Sequence, residues 1–344
     1  MLNFESDYNN GAHPLVLQHL IQTNDTQSLT YGFDIWSQQA KQKIKQVCQS
    51  DNLDIYFLCG GTQTNATVID ACLRNYQAVI SVDTGHIAVH EAGAIEASGH
   101  KVITLPSHDG KMDIEDLKEF FYAFDNDESK DHTAQPGMVY LTFPTELGTL
   151  YSKKEIEDIY SLCKSRKLTL FIDGARLGYG LMSENCDFDI AFLKDNCDVF
   201  YIGGTKTGAL CGEAVVFCDK NKTPECFFSI IKRHGALLAK SRLTGVQFDA
   251  LFTDNLYFNI AKNAIDKAKE LKSILQQAGF EFYLNSPTNQ QFVIIPNEKV
   301  KELEKQVIFT HWFAYDKKST VCRFVTSWAT TQKEIDELRK ILLK

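Results

Sequence analysis

Short, largely apolar runs that end abruptly at glycine, threonine or aspartate recur through the first two thirds of this chain, with helical stretches between them. Residues 55–59 stop at Gly60-Gly61-Thr62, 78–82 at Asp83-Thr84-Gly85-His86, and 168–172 at Asp173-Gly174-Ala175-Arg176. Residues 199–202 stop at Gly203-Gly204-Thr205-Lys206, and 101–105, 138–142 and 214–217 read as further strands. Strands without polar–apolar alternation must be covered on both faces, which intervening helices achieve for a mostly parallel sheet. The pattern predicts an α/β fold with a large domain over residues 1–246. After Val246 a long helical stretch, 248–278, leads into strands at 280–284, 291–295 and 322–327, with helices from Glu298 and over 332–343. That reads as a small α+β domain, residues 247–344. Two finer expectations are a single alanine-rich helix over 86–98 and a chain break at Gln135-Pro136-Gly137.

Composition narrows the possible partners. With 344 residues, 44% hydrophobic and 23% charged, the chain has the balance of a globular protein with room for a large core and a smaller one. A formal net charge of −8 provides no basic footprint for nucleic acid or for an anionic membrane surface. The ten cysteines stand singly, without a Cys-x-x-Cys pair, so no zinc ribbon, dithiol motif or other metal site is expected. Residues 1–7 lack the basic and apolar regions of a leader, and no apolar run approaches the roughly 18 residues that span a bilayer. A cytoplasmic protein is expected.

Ligands of open α/β sheets bind outside the carboxyl ends of the strands. Here those ends offer a two-glycine anion cradle before a helix, an imidazole, a carboxylate, a guanidinium and an amine. The set meets the needs of pyridoxal 5′-phosphate. Its aldehyde takes a lysine as a Schiff base, which assigns Lys206. Its pyridine nitrogen takes an acid that keeps it protonated, which assigns Asp173. Its phosphate takes N–H groups at a helix amino terminus, which assigns Gly60, Gly61 and Thr62. His86 is placed to cover the ring, and arginine is the best bidentate partner for a substrate carboxylate. No G-x-G-x-x-G or G-x-x-x-x-G-K motif points to a nucleotide instead.

Residues 171–176 (Phe-Ile-Asp-Gly-Ala-Arg), followed by 204–208 (Gly-Thr-Lys-Thr-Gly), resemble the threonine aldolase branch of the fold-type I pyridoxal phosphate enzymes. That branch is grouped with the aromatic amino-acid β-eliminating lyases. The likeness also takes in Ser6-Asp7, Tyr31-Gly32, 60–65, 85–93, 235–242 and 322–325. It implies a fold-type I large domain followed by the small α+β domain. It implies that Gly60, Gly61, Thr62, His86, Asp173, Arg176, Lys206 and Lys240 bind the cofactor. Ser6, Tyr31, Arg176 and Arg323 would hold the substrate, and Lys206, His86 and Asp173 would be catalytic. A homodimer or homotetramer with shared sites is also implied, with Tyr31 and either Lys240 or Arg242 reaching the neighbouring site. The chain departs from the commoner members at 142–148, Thr-Phe-Pro-Thr-Glu-Leu-Gly, where they carry Thr-His-Asn and a double glycine. It departs again at His90, where an aromatic residue is usual.

The activity implied is retro-aldol cleavage of a β-hydroxy-α-amino acid, such as threonine to glycine and acetaldehyde. His86 would orient the group that takes the hydroxyl proton. β-Elimination and transamination run on the same scaffold and stand as alternatives. A non-catalytic cofactor-binding protein is a third.

Overall fold

The computed structural model describes residues 1–343. Its strands are β1 (Leu2–Asn3), β2 (Asp54–Leu58), β3 (Gln77–Val82), β4 (Lys101–Leu105), β5 (Gln135–Thr142), β6 (Thr169–Asp173) and β7 (Val199–Gly203). Then come β8 (Glu213–Phe217), β9 (Glu281–Phe282), β10 (Gln290–Pro296), β11 (Val307–Ile308), β12 (Thr310–Ala314) and β13 (Ser319–Val325). Seven of them form the central sheet in the order β2-β8-β7-β6-β5-β3-β4. Every pairing in it is parallel except those of β8, which runs antiparallel to both β2 and β7. The chain therefore has the mostly parallel, helix-covered α/β architecture of fold-type I.

Successive side chains of each strand go to opposite faces. Ile80, Leu141, Ile172, Phe200 and Val216 pack into one core, and Val79, Tyr140, Phe171, Val199, Tyr201 and Val215 into the other. The same alternation puts Thr142 and Asp173, register partners on β5 and β6, on the face that carries Tyr140. The turns after β6 and β7 press backbone against backbone. A Cβ on Gly174 would lie 2.0 Å from the Tyr201 carbonyl oxygen, and one on Gly203 would lie 2.2 Å from that of Ala175. Only glycine permits that approach, and it brings Asp173 and Lys206 to one cavity.

Beyond the sheet, β12-β13-β10-β9 form a four-stranded antiparallel sheet. Its core of Leu271, Ile274, Val293, Ile295, Cys322 and Phe324 is completed by Leu2 and Phe4 from the start of the chain. There β1 pairs in parallel with β11, and the Phe4 N–H donates to the Ile308 carbonyl at 2.8 Å. The Val325 N–H donates to the Phe4 carbonyl at 2.8 Å.

Three local expectations are corrected. The helix expected over 86–98 is two short turns, His86–Val89 and Ala94–Ala97, separated by left-handed Ala92 (φ 51°) and Gly93 (φ 76°). The long stretch near the carboxyl end is likewise two helices, Arg242–Leu251 and Leu256–Gln277, parted at Asp254 and Asn255 with φ of 51° and 58°. Asp and Asn tolerate that conformation better than most residues. Pro136 and Gly137 do not break the chain but lie inside β5, where a bulge opposite Ala78 and Val79 accommodates them. No described helix is long and apolar enough to cross a membrane.

Candidate active site

At the carboxyl ends of β2, β5, β6 and β7 lies a cavity of about 310 Å³ lined by Gly60, Gly61, Thr62, His86, Asp173, Arg176 and Lys206. Seven of the residues singled out in the sequence thus converge. Asp173 is 1% exposed, and three donors hold its carboxylate. The Ala175 N–H donates to Oδ1 at 2.9 Å, while the Asn65 amide and the Tyr140 hydroxyl donate to Oδ2 at 2.9 and 2.5 Å. Asn65 sits one helical turn after Gly61 on the helix Gly61–Cys72, whose first turn has no side-chain cap. Its first residues, Gly61 and Thr62, line the cavity together with Gly60, where a Cβ would meet nothing within 4 Å. An uncapped helix amino terminus beside open space is an anion site.

Lys206 is buried among charges of both signs. Burial pushes its ammonium down to about 8, helped by the neighbouring Arg176 and opposed by Asp7, Asp173 and Glu213. Glu213, on β8 behind it, accepts from the Gly204 N–H at 3.0 Å and the Thr205 hydroxyl at 2.8 Å. Burial raises the Glu213 carboxyl to about 7. A lysine in such surroundings carries a far larger neutral fraction near neutral pH than an ordinary lysine does, as a carbonyl-binding amine requires.

Arg176 is not a free clamp. Its Nε and Nη2 donate to the two oxygens of Asp7 at 2.7 and 3.0 Å. Asp7 also accepts from Asn289 at 2.9 Å. Burial opposes ionisation of Asp7, but Arg176, Lys206 and these hydrogen bonds outweigh it and hold the carboxyl below its ordinary range. The arginine available to an anion is Arg323 on β13, at the far wall of an adjoining cavity of about 270 Å³ shared with Lys206, His86, His90 and Trp312. It donates to the Gln290 side-chain oxygen at 3.0 Å and the Thr310 hydroxyl at 3.2 Å, and its guanidinium carbon lies 4.7 Å from the Trp312 ring centroid. Among the described residues no carboxylate pairs with it, and its Nε has no acceptor. Burial, then Arg176, lowers it to about 10.

The imidazole is fixed from two sides. Its Nδ1 lies 2.7 Å from Glu91 Oε1, which the Asn65 amide also reaches at 2.7 Å. The His86 backbone N–H donates to Glu146 Oε1 at 2.8 Å. His90 adds a second ring 5.7 Å from His86 and 5.9 Å from Trp312. Burial raises the carboxyl groups of both Glu91 and Glu146.

Other expected site residues lie elsewhere. Ser6 is outside the cavity lining and donates to Asn9 at 2.7 Å, and its neighbour Tyr8 takes the place at the wall. Tyr31 is exposed and stacks under Lys232 at 5.1 Å, away from Lys206. Lys240 and Arg242 border a larger hollow of about 510 Å³ whose lining also includes Leu20, Leu29, Leu243 and Val246. Arg242 is engaged there, donating to the carbonyl oxygens of Thr23 and Thr26 and stacking 4.2 Å from the Trp36 centroid. Sequence reasoning missed Asp7, Tyr8, Asn65, Glu91, Tyr140 and Glu213 as parts of the site. Period-two alternation pointed to Tyr140, and the helical turn after Gly61 pointed to Asn65.

These groups fit pyridoxal 5′-phosphate. The uncapped helix start suits a phosphate, buried Asp173 suits a protonated ring nitrogen, and Lys206 suits an aldehyde. Comparison with known proteins agrees: the family model described as Beta-eliminating lyase matches residues 11–332. The chain belongs to the beta-eliminating lyase family. A low-specificity L-threonine aldolase from a Pseudomonas species is 28% identical over 338 residues, covering 97% of this chain and 95% of that protein. The solved Leishmania major threonine aldolase is 37% identical, covers 100% of this chain and 99% of its own, and superimposes with a TM-score of 0.96. An aromatic aminotransferase from Pyrococcus horikoshii, 15% identical, covers 99% of this chain and 94% of its own with a TM-score of 0.70, a likeness of fold alone.

Beta-eliminating lyases of this kind depend on pyridoxal phosphate. Condensation with the aldehyde needs the neutral amine, and burial favours that form of Lys206. The rate at which apoprotein captures the cofactor is therefore expected to rise with pH through about 8 and level off above it. Stopped-flow absorbance across that range measures it. A rate still climbing steeply at the pH where an ordinary lysine titrates contradicts the assignment.

Proposed function

We propose that this protein is a carbon–carbon lyase that cleaves β-hydroxy-α-amino acids by retro-aldol reaction, as in threonine to glycine and acetaldehyde. The observation that carries the reading is the set of groups that meet in one cavity. Unpaired Arg323, Lys206, His86 and Glu146 all line it, and the last three also line the cavity that holds Asp173. An amino acid with its carboxylate on Arg323 and its amine at Lys206 would turn its β-carbon toward His86 and Glu146. The names of the relatives, threonine aldolases, support the same choice.

In this reading Lys206 Nζ would bind the cofactor's aldehyde, and the N–H groups of Gly60, Gly61 and Thr62 would hold its phosphate. Asp173 would keep a proton at the pyridine nitrogen, and His86, oriented by Glu91, would cover the ring. Bound there, pyridoxal phosphate supplies an electron sink for the pair left on Cα. Arg176, fixed by Asp7, lends positive charge to the cavity, and Arg323 binds the substrate carboxylate.

Incubating holoenzyme with L-threonine and L-allo-threonine is expected to release acetaldehyde and glycine. Pyruvate and ammonia from serine, with no aldehyde from either substrate, would favour β-elimination instead. Replacing Arg323 with leucine removes the carboxylate's partner, a loss of about 2–4 kcal/mol, or roughly 30- to 10³-fold in kcat/KM. The loss should fall mainly on KM and leave the cofactor's absorbance unchanged. An unaltered KM would move the carboxylate elsewhere.

Four further parts belong to this reading. A homodimer or homotetramer is supported by exposed Leu29, Phe33 and Phe228 near Tyr31. Lys240, with Arg242 tied to the loop after Thr23, is the side chain we assign to a neighbouring site. A boundary near residue 246 is supported by the separate core around Phe324, and a cytoplasmic location by ten free thiols.

A further inference from the structure

Glu146 lines both the cavity around Lys206 and the one that ends at Arg323, and among the described residues it is the one carboxylate common to the two linings. Its Oε1 serves the fold. That oxygen accepts from the His86 backbone N–H and from the Thr142 hydroxyl, both at 2.8 Å. Its Oε2 is buried and has no hydrogen-bond partner among the described residues. One oxygen suffices to anchor His86 and Thr142, so the second is surplus to the architecture. Buried polar atoms are almost always satisfied, and an exception beside a reactive group calls for a ligand.

We propose that Glu146 Oε2 accepts the proton of the substrate's β-hydroxyl group during carbon–carbon cleavage, and that this contact selects β-hydroxylated amino acids. The inference rests on the aldol-cleavage reading above. With a carboxylate on Arg323 and an amine at Lys206, the remaining wall is formed by Tyr8, His86, His90, Glu146, Arg176 and Trp312, of which Glu146 is the one carboxylate. His86 is held at Nδ1 by Glu91 and is the ring cover in the reading above, whereas Glu146 has a buried oxygen with no other task. In the step, the hydroxyl O–H bond breaks and its proton goes to Oε2. The O–H electron pair becomes the second carbon–oxygen bond of the departing aldehyde. The Cα–Cβ bond breaks and leaves its pair on Cα.

The surroundings suit a base. Burial raises the Glu146 carboxyl, as does Asp173, while the Thr142 hydrogen bond and His86 pull it down. Lys206 and Arg176 complete the charged groups of the shared lining. A carboxylate whose pKa is moved toward the working pH is a stronger proton acceptor.

The test is holoenzyme carrying Glu146→Gln. The amide oxygen can still accept from His86 and Thr142, but a nitrogen in place of Oε2 cannot take a proton. Cleavage of L-threonine is expected to fall about 10²- to 10⁴-fold in kcat/KM. Exchange of the glycine α-proton in deuterated water, which needs no hydroxyl base, should stay within about threefold of wild type by that same logic. Infrared titration of wild-type apoprotein should show a carboxyl ionising above the usual glutamate range, absent from E146Q. Unimpaired cleavage by E146Q overturns the proposal, and so does an equal loss of cleavage and glycine exchange, which would mark a role in shaping the whole site. Should E146Q fail to fold, Glu146→Asp, which withdraws the charge by one methylene, is read by the same two rates. Wild-type enzyme that exchanges the glycine proton but releases no aldehyde sinks the aldol reading together with this one. Aldehyde release equal in wild type and variant sinks this one alone.

Discussion

Lys206→Ala is expected to give a folded protein whose aldehyde release is about 10⁴- to 10⁶-fold slower, the scale on which removal of a covalent residue acts in other enzymes. Folding should survive, because the side chain itself makes no hydrogen bond to the scaffold. It is the Lys206 carbonyl that the Tyr179 hydroxyl holds, at 2.5 Å, and alanine keeps that carbonyl. The helix start at Gly61 and the Asp173 carboxylate should still retain pyridoxal phosphate, but without a covalent link. Borohydride reduction followed by mass spectrometry of the digest measures this directly. Wild type should yield one modified peptide containing Lys206 and the variant none. A variant that still cleaves L-threonine within about tenfold of wild type would remove Lys206 from the mechanism.

Asp173→Asn should be nearly as severe, for two separable reasons. Asp173 has two acceptor oxygens for three donors: the Ala175 N–H on one side, and the Asn65 amide and Tyr140 hydroxyl on the other. An asparagine presents one acceptor and one NH₂, so in either orientation a donor faces a donor. The buried group left unpaired costs about 1–3 kcal/mol of stability, visible as a lowered thermal midpoint. The second loss is electrostatic. An amide does not hold a proton at the pyridine nitrogen as a carboxylate does, so kcat should fall about 10²- to 10⁴-fold. The cofactor's absorbance should shift as well. Comparison with Tyr140→Phe separates the effects, since that variant loses one donor but keeps the charge. If Asp173→Asn and Tyr140→Phe are equally slow, Asp173 matters through geometry alone.

The sheet and the strand-end residues were legible because both rest on local rules. Doubly buried strands read as apolar runs, and the close approach of the turns after β6 and β7 leaves its mark as Gly174 and Gly203. What escaped depends on partners far away in the chain. Alanine-rich residues 86–98 favour a continuous helix by propensity, yet the fold breaks them at Ala92 and Gly93. The break delivers Glu91 to both Asn65 and His86. Packing and hydrogen bonding override propensity at the place where chemistry needs it. Arg176 looked free for a substrate because the one acid close to it in sequence, Asp173, has its own task at the ring nitrogen. Its partner, Asp7, is 169 residues away. Glu213 was hidden for the opposite reason: it opens an apolar strand and reads as a strand boundary rather than as the acid behind Lys206.

The amino-terminal segment carries a consequence for the order in which the molecule assembles. Residues 2–7 are made long before their seats, which are the edge at Val307–Ile308, the Val325 N–H and the Asn289 amide. They must wait as a loose thread while almost the whole chain is made, and the closing of so long a loop is a late event in folding. Until the thread docks, Asp7 cannot neutralise Arg176, and Lys206 sits beside an uncompensated cation. Nascent or prematurely ended chains would thus have the cofactor lysine but not its finished surroundings. Synthesis of β13 acts as the completion signal for a site to which Asp7 was supplied about 300 residues earlier.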